Sequence, residues 1–150
     1  MIDSIKFRLI NLIEEKEEWA LDYESLPTAV EIYINNHELI SILKEIEAPF
    51  AEAEGHSDLA GAYGHISSNL LYKDLSDVLN GDKFLMENGI ELLCCSGCGD
   101  SGCWSILVFV SQDEDYIYWN NFKHNHRNWK YDISYKFDKK EYMKALQQLK

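Results

Sequence analysis

All four cysteines of the chain and three of its eight glycines fall in residues 94–104, CCSGCGDSGCW, and no other stretch concentrates so much chemistry. The spacing Cys95-x-x-Cys98 is that of a zinc knuckle, Cys103 adds a third thiolate, and Gly97, Gly99 and Gly102 supply the left-handed conformations that a chelating turn needs. Cys94 is set aside, because neighbouring strand residues point to opposite faces and do not easily serve one ion together. A fourth ligand then has to come from His124 or His126 in the following hairpin. In a plainer reading the segment is a glycine-rich hairpin loop with small buried thiols at its ends, cysteine being among the most buried residue types. A redox disulfide is the third reading. It fares worst, because this Cys-x-x-Cys sits in a hairpin and not at a helix N-terminus that would stabilise a thiolate.

Two further clusters carry titratable groups. Residues 122–132, FKHNHRNWKYD, interleave basic and aromatic side chains, a pattern that stacks on bases and pairs with phosphates. The net charge of −12 opposes that use, so the segment reads as a positive strip meeting the chain's own acidic region or a neighbouring copy. His124 and His126 would share one side of a strand. Residues 47–65, EAPFAEAEGHSDLAGAYGH, offer Glu52, Glu54, His56, Asp58 and His65 as acid–base groups or as carboxylate and imidazole ligands. No nucleophile elbow, phosphate-binding glycine loop or HExxH accompanies them, so no catalytic residue is assigned and a non-enzyme is expected.

Charge is distributed unevenly. Residues 14–58 hold thirteen acids against Lys16 and Lys44, whereas residues 123–150 hold eight basic residues against three acids. An acidic surface repels nucleic acid and speeds encounter with a basic protein partner, and its plainest use is solubility. Charges at Asp3, Lys6 and Arg8 interrupt the apolar N-terminus and no small-residue cleavage site follows, so no signal peptide is read. The longest apolar stretch, near Cys103–Ser111, is about half the ~20 residues of a membrane-spanning helix. The expected compartment is therefore the cytoplasm, with no membrane partner and with thiols kept reduced.

The elements that must position these groups follow from periodicity. At 150 residues, 46% hydrophobic, the chain is expected to form one α+β domain over 1–150. Strands are read at Ser4–Ile10 and Ala29–Ile34, with a turn at Asn35-Asn36. A helix over Glu38–Glu47 is ended by Pro49, placing Glu45 and Glu47 where they oppose the helix dipole, and residues 50–65 are read as loop. A short helix over Ser68–Leu79 ends at Asn80-Gly81. Strands follow at Ile90–Cys95, Trp104–Val110, Asp115–Phe122 and Tyr131–Phe137, the second of them central and covered on both faces. Asp138 and Glu141 form a capping box for a last helix that buries Tyr142, Met143, Leu146 and Leu149. The expected architecture is an antiparallel meander of five to six strands with two to three helices packed on it.

The segments EAPFAEAEGHSDLAGAYGHI, LLCCSGCGDSGCWSILV and WNNFKHNHRNWKYDISYKFDKKEYMKAL, in that order, resemble a group of small uncharacterised bacterial proteins. These show a PFA-x-x-EGH-x-x-LAG-x-Y segment, a glycine-rich motif ending in Gly-Cys-Trp, and an Arg-x-Trp-x-Tyr strand leading into a Phe-Asp-capped helix. The resemblance covers about residues 40 to 150 and implies relatedness, with no established activity. Relatives tend to read Cys-x-Cys-Gly, whereas Cys95-Ser96-Gly97-Cys98 is one residue longer, which fits a tolerant loop better than a strict metal site.

Small size, concentrated acid and the lack of a catalytic set lead to an acidic cytoplasmic binding protein, an immunity-type inhibitor of a basic bacterial toxin such as a nuclease. Glu45, Glu47, Glu52, Glu54 and Asp58 are its expected partner-binding residues. The alternative is a small structural zinc domain or metal-dependent module using Cys95, Cys98 and Cys103 with His124. Apart from that zinc, no cofactor is expected.

Overall fold

A computed structural model describes residues 2–11, 28–95 and 104–150, Asn11 and Cys95 by their backbone only. The alternating apolar residues of the first segment form strand β1 (Ile5–Asn11), which pairs antiparallel with β2 (Thr28–Ile34) from Ile5 opposite Ile34 to Asn11 opposite Thr28. Period-2 patterning buries Phe7, Val30, Ile32 and Ile34 and leaves Arg8, Glu31 and Tyr33 on the other face. Asn35 and Asn36 adopt φ of 52° and 69°, the left-handed pair of a two-residue hairpin turn, and lead into the short β3 (His37–Glu38).

Helix α1 runs from Leu39 to Ala53, through Pro49 rather than ending before it. Proline removes one backbone donor, but Pro49 lies on the exposed face, where water can satisfy the orphaned carbonyl. The buried Ala51 and half-buried Phe50 beyond it favour continuation. The longer helix puts Glu45 and Glu47 in its middle, so opposition to the dipole falls on Glu52 and on Glu54 at the C-cap. Much of the expected loop is therefore helix, followed by a 3-10 turn (Ser57–Leu59) and strand β4 (Tyr63–His65).

Helix α2 (Ser68–Leu79) matches its apolar periodicity, and the Ser67 hydroxyl accepts from Leu70 N at 3.3 Å as its cap. Helix α3 (Lys83–Asn88), capped by Asp82, is one element the sequence reading did not anticipate. Strands β5 (Ile90–Cys95), β6 (Ile106–Gln112), β7 (Tyr116–His124) and β8 (Tyr135–Asp138) extend β4 into an antiparallel sheet of order β4-β5-β6-β7-β8. Residues 131–134 precede β8 and are not strand. β6 alternates buried and half-buried residues before its exposed end. Asp138 accepts from Glu141 N at 3.0 Å and starts α4 (Lys139–Gln147), which buries Tyr142, Ala145 and Leu146 while Met143 points outward.

The class is α+β. The strands divide into two antiparallel sheets, of three and five, instead of one meander, and four helices accompany them among the described residues. Val30 N donating to Ile66 O (3.0 Å) and Asp3 N donating to Lys136 O (2.7 Å) tie the sheets together. One apolar cluster, containing Phe7, Ile32, Leu43, Leu75, Val108, Trp119 and Phe137, is shared by residues of both. No helix among the described residues is long and apolar enough to cross a membrane.

Candidate functional site

Three glutamates of α1 and Glu54 at its C-cap divide by spacing. Glu45 and Glu52 are seven residues apart, close to two turns, and so are Glu47 and Glu54 on the opposite side. Glu45 and Glu52 are exposed, as is Asp58 on the 3-10 turn, and none of the three makes an ion pair among the described residues. These three are the candidate docking acids that burial and ion pairing leave available among the described residues.

Glu47 does not belong to that face. It is fully buried, which removes it from the expected partner-binding set. Its Oε1 accepts from Gly61 N at 2.8 Å, and Oε2 accepts from the hydroxyls of Tyr131 (2.6 Å) and Tyr63. Burial pushes the Glu47 carboxyl above the ordinary range, while the two tyrosines and the Gly61 amide work the other way. Both tyrosines are driven upward, by burial first and then by their interactions with Glu47. The bond to Gly61 needs glycine there: its φ is +70°, and a Cβ would stand 2.8 Å from Lys44 Cβ. The cluster thus fastens the irregular segment before β4 onto α1 and onto the stretch before β8.

Glu54 faces the same way and is engaged by Arg127 Nε at 3.1 Å and Trp129 Nε1 at 2.6 Å. Arg127 also lies 5.0 Å over the Trp104 ring. The positive strip therefore does meet the chain's own acid, through Arg127. Both carboxylate oxygens of Glu54 are thus engaged within the chain, which weakens it as a docking acid and as a ligand alike.

His124 is buried at the end of β7, whereas His126 lies beyond the strand and is exposed. The expected common side for the two fails because β7 stops between them. His124 faces inward through a bulge. Asn121 has φ of 56°, and the β6/β7 register shifts between Leu107 and Phe109. Before the bulge the odd-numbered Ile117 and Trp119 are buried; after it the even-numbered Phe122 and His124 are.

The His124 ring lies 4.1 Å from Trp104 and 5.4 Å from Trp129, centroid to centroid. Its Nδ1 accepts from His126 N at 3.0 Å, so the neutral ring carries its hydrogen on Nε2. Burial pushes the pKa of His124 down to about 4, and the charges of Arg127 and His126 add to that. Nε2, Trp104 Nε1 and Ser105 Oγ are buried without a hydrogen bond among the described residues.

Of the zinc set, Cys98 and Cys103 lie outside the described residues, as does the side chain of Cys95. The His124 tautomer does not suit it: ligation through Nε2 needs the hydrogen on Nδ1, which is occupied as an acceptor. Cys94 is buried and its thiol donates to His65 O at 3.4 Å. A hollow lined by Val78, Leu79, Met86, Val110, Ser111 and Gln112 contains no titratable side chain. No family model, curated protein or solved structure matches the chain, so the site stands on its own geometry.

Proposed function

We propose that the protein is an acidic binding protein that presents the outer face of α1 and the following turn to a basic protein, as a cytoplasmic immunity-type inhibitor presents itself to a bacterial toxin such as a nuclease. The observation that carries this reading is the exposure of Glu45, Glu52 and Asp58 with no cationic partner among the described residues. Glu52 sits in the last turn of α1, which has no basic residue to offset it. That placement costs the helix about 0.3–1 kcal/mol, so helix stability does not explain it. The acids are carried on rigid structure, because the opposite face of α1 is fixed by Glu47 and Glu54. A charged face held in place complements a basic surface and accelerates encounter.

The test is calorimetric titration, at low and at high salt, with the purified basic domain of any toxin whose gene is found beside the one for this chain. Binding that weakens as salt rises is expected. No heat of binding at either salt would overturn the proposal.

A further inference from the structure

His65, one of the candidate ligand histidines, does not join Glu52, Glu54 or Asp58. It stands instead with two glutamates far from it in sequence. His65 Nε2 lies 3.2 Å from Glu38 Oε1, and one ligand atom each from Glu31, Glu38 and His65 lie within 4.8 Å of one another. We propose that these three side chains form a binding site for a divalent transition metal of the zinc type, with a ligand set that includes no cysteine and none of the acids of the outer face of α1.

Three observations support the assignment. The ligands come from strands rather than loops: Glu31 from β2, Glu38 from β3 and His65 from β4. These strands are held in register by the Tyr33–Glu38 and His65–Leu93 pairings and by the Val30–Ile66 hydrogen bond between the sheets. The separation also fits. Zinc–nitrogen and zinc–oxygen bonds of about 2.0–2.2 Å place tetrahedral ligand atoms roughly 3.3–3.5 Å apart, so small side-chain adjustments close the set around an ion. Finally, the side chains are partly sheltered but reachable, 23% exposed for His65, 28% for Glu38 and 13% for Glu31.

An imidazole with two carboxylates selects zinc or cobalt over magnesium, which prefers an all-oxygen octahedron. Three protein ligands leave a coordination position for water or for a donor from a partner. Arg8 is the opposing feature. Its guanidinium pairs with Glu31, which also accepts from Tyr33 OH at 3.3 Å, and its charge repels a cation. Arg8 is 59% exposed and able to swing away, so it moderates the affinity and gives the site a distinctive test.

The experiment titrates the full chain with cobalt(II) chloride, followed by competition with zinc chloride and, separately, magnesium chloride. Wild type, His65→Ala, Glu38→Gln and Arg8→Ala are compared, each checked for folding by circular dichroism. One cobalt per chain is expected, with weak visible bands, displaced by zinc and not by magnesium. His65→Ala and Glu38→Gln should weaken binding by ~10-fold or more. Arg8→Ala, a change at an exposed residue, should tighten it several-fold. Failure of wild type to bind cobalt overturns the assignment. So does cobalt that binds equally well in His65→Ala, including binding with an intense sulfur charge-transfer band, which would put the ion at the cysteines.

Discussion

The two faces of α1 carry the same residue type and use it in opposite ways. Glu47 and Glu54 face hydroxyl, amide, indole and guanidinium donors, and their charges are consumed inside the fold. Glu45 and Glu52 face solvent with no ion pair among the described residues. Composition alone treats the four as one acidic patch. Helix phase separates them, and what lies opposite decides which glutamates hold the fold and which remain for a partner.

The contrast is open to attack from its strongest side. Glu47→Ala should cost about 3–5 kcal/mol in urea unfolding, because it strands the Tyr63 and Tyr131 hydroxyls and the Gly61 amide, groups worth roughly 1–3 kcal/mol each alone and less than additive within one network. Glu47→Gln should cost clearly less, since an amide keeps an acceptor for Gly61.

His124 gives the next largest effect, through pH. Its folded pKa of about 4 lies below the ordinary 6.5, so between these values the unfolded chain binds the extra proton and stability falls as pH falls. The full effect is on the order of 3 kcal/mol, and His124→Gln should flatten the pH profile between pH 6.5 and 4. Glu47 contributes with the opposite sign. Its folded pKa is raised, so its contribution is greatest below the unfolded carboxyl range and is lost as pH rises through the folded value.

Two backbone positions rank below these. Gly61→Ala meets both a positive φ and the Lys44 side chain, and should cost about 1–3 kcal/mol. Asn121→Val should cost roughly 1–2 kcal/mol, by straining the bulge that turns His124 inward. The outer face should cost nothing: Glu45→Lys with Glu52→Lys should leave stability unchanged or raise it by about 0.5–1 kcal/mol, because lysine in the last turn suits the helix dipole that Glu52 opposes. A large loss from that double variant would erase the distinction between the faces.

Much of the frame could be read in the sequence. Helices α2 and α4 announce themselves through apolar spacing, with the Asn80-Gly81 stop of the first and the Asp138 cap of the second, β1 and β2 through alternation, and β5 through composition. The length of α1 was hidden by Pro49, whose usual effect is to end a helix but whose exposed position here lets it continue. The same misreading grouped Glu47 with the docking acids. The burial of His124 depends on a one-residue bulge at Asn121, which period-2 reasoning does not register. The meeting of Glu31 and Glu38 with His65 depends on how the two sheets join, a long-range fact without a local sequence signal.

The most direct test of the division of α1 is a binding titration with the basic domain of any toxin whose gene is found beside the one for this chain. It compares wild type with the Glu45→Lys/Glu52→Lys variant, whose fold is verified by its urea midpoint. A variant that keeps or exceeds the wild-type midpoint and loses affinity by ~10-fold or more is the predicted result, as expected where a complementary charge is replaced by a like charge. A variant that keeps the midpoint and binds as tightly as wild type would contradict the assignment of the outer face to a partner.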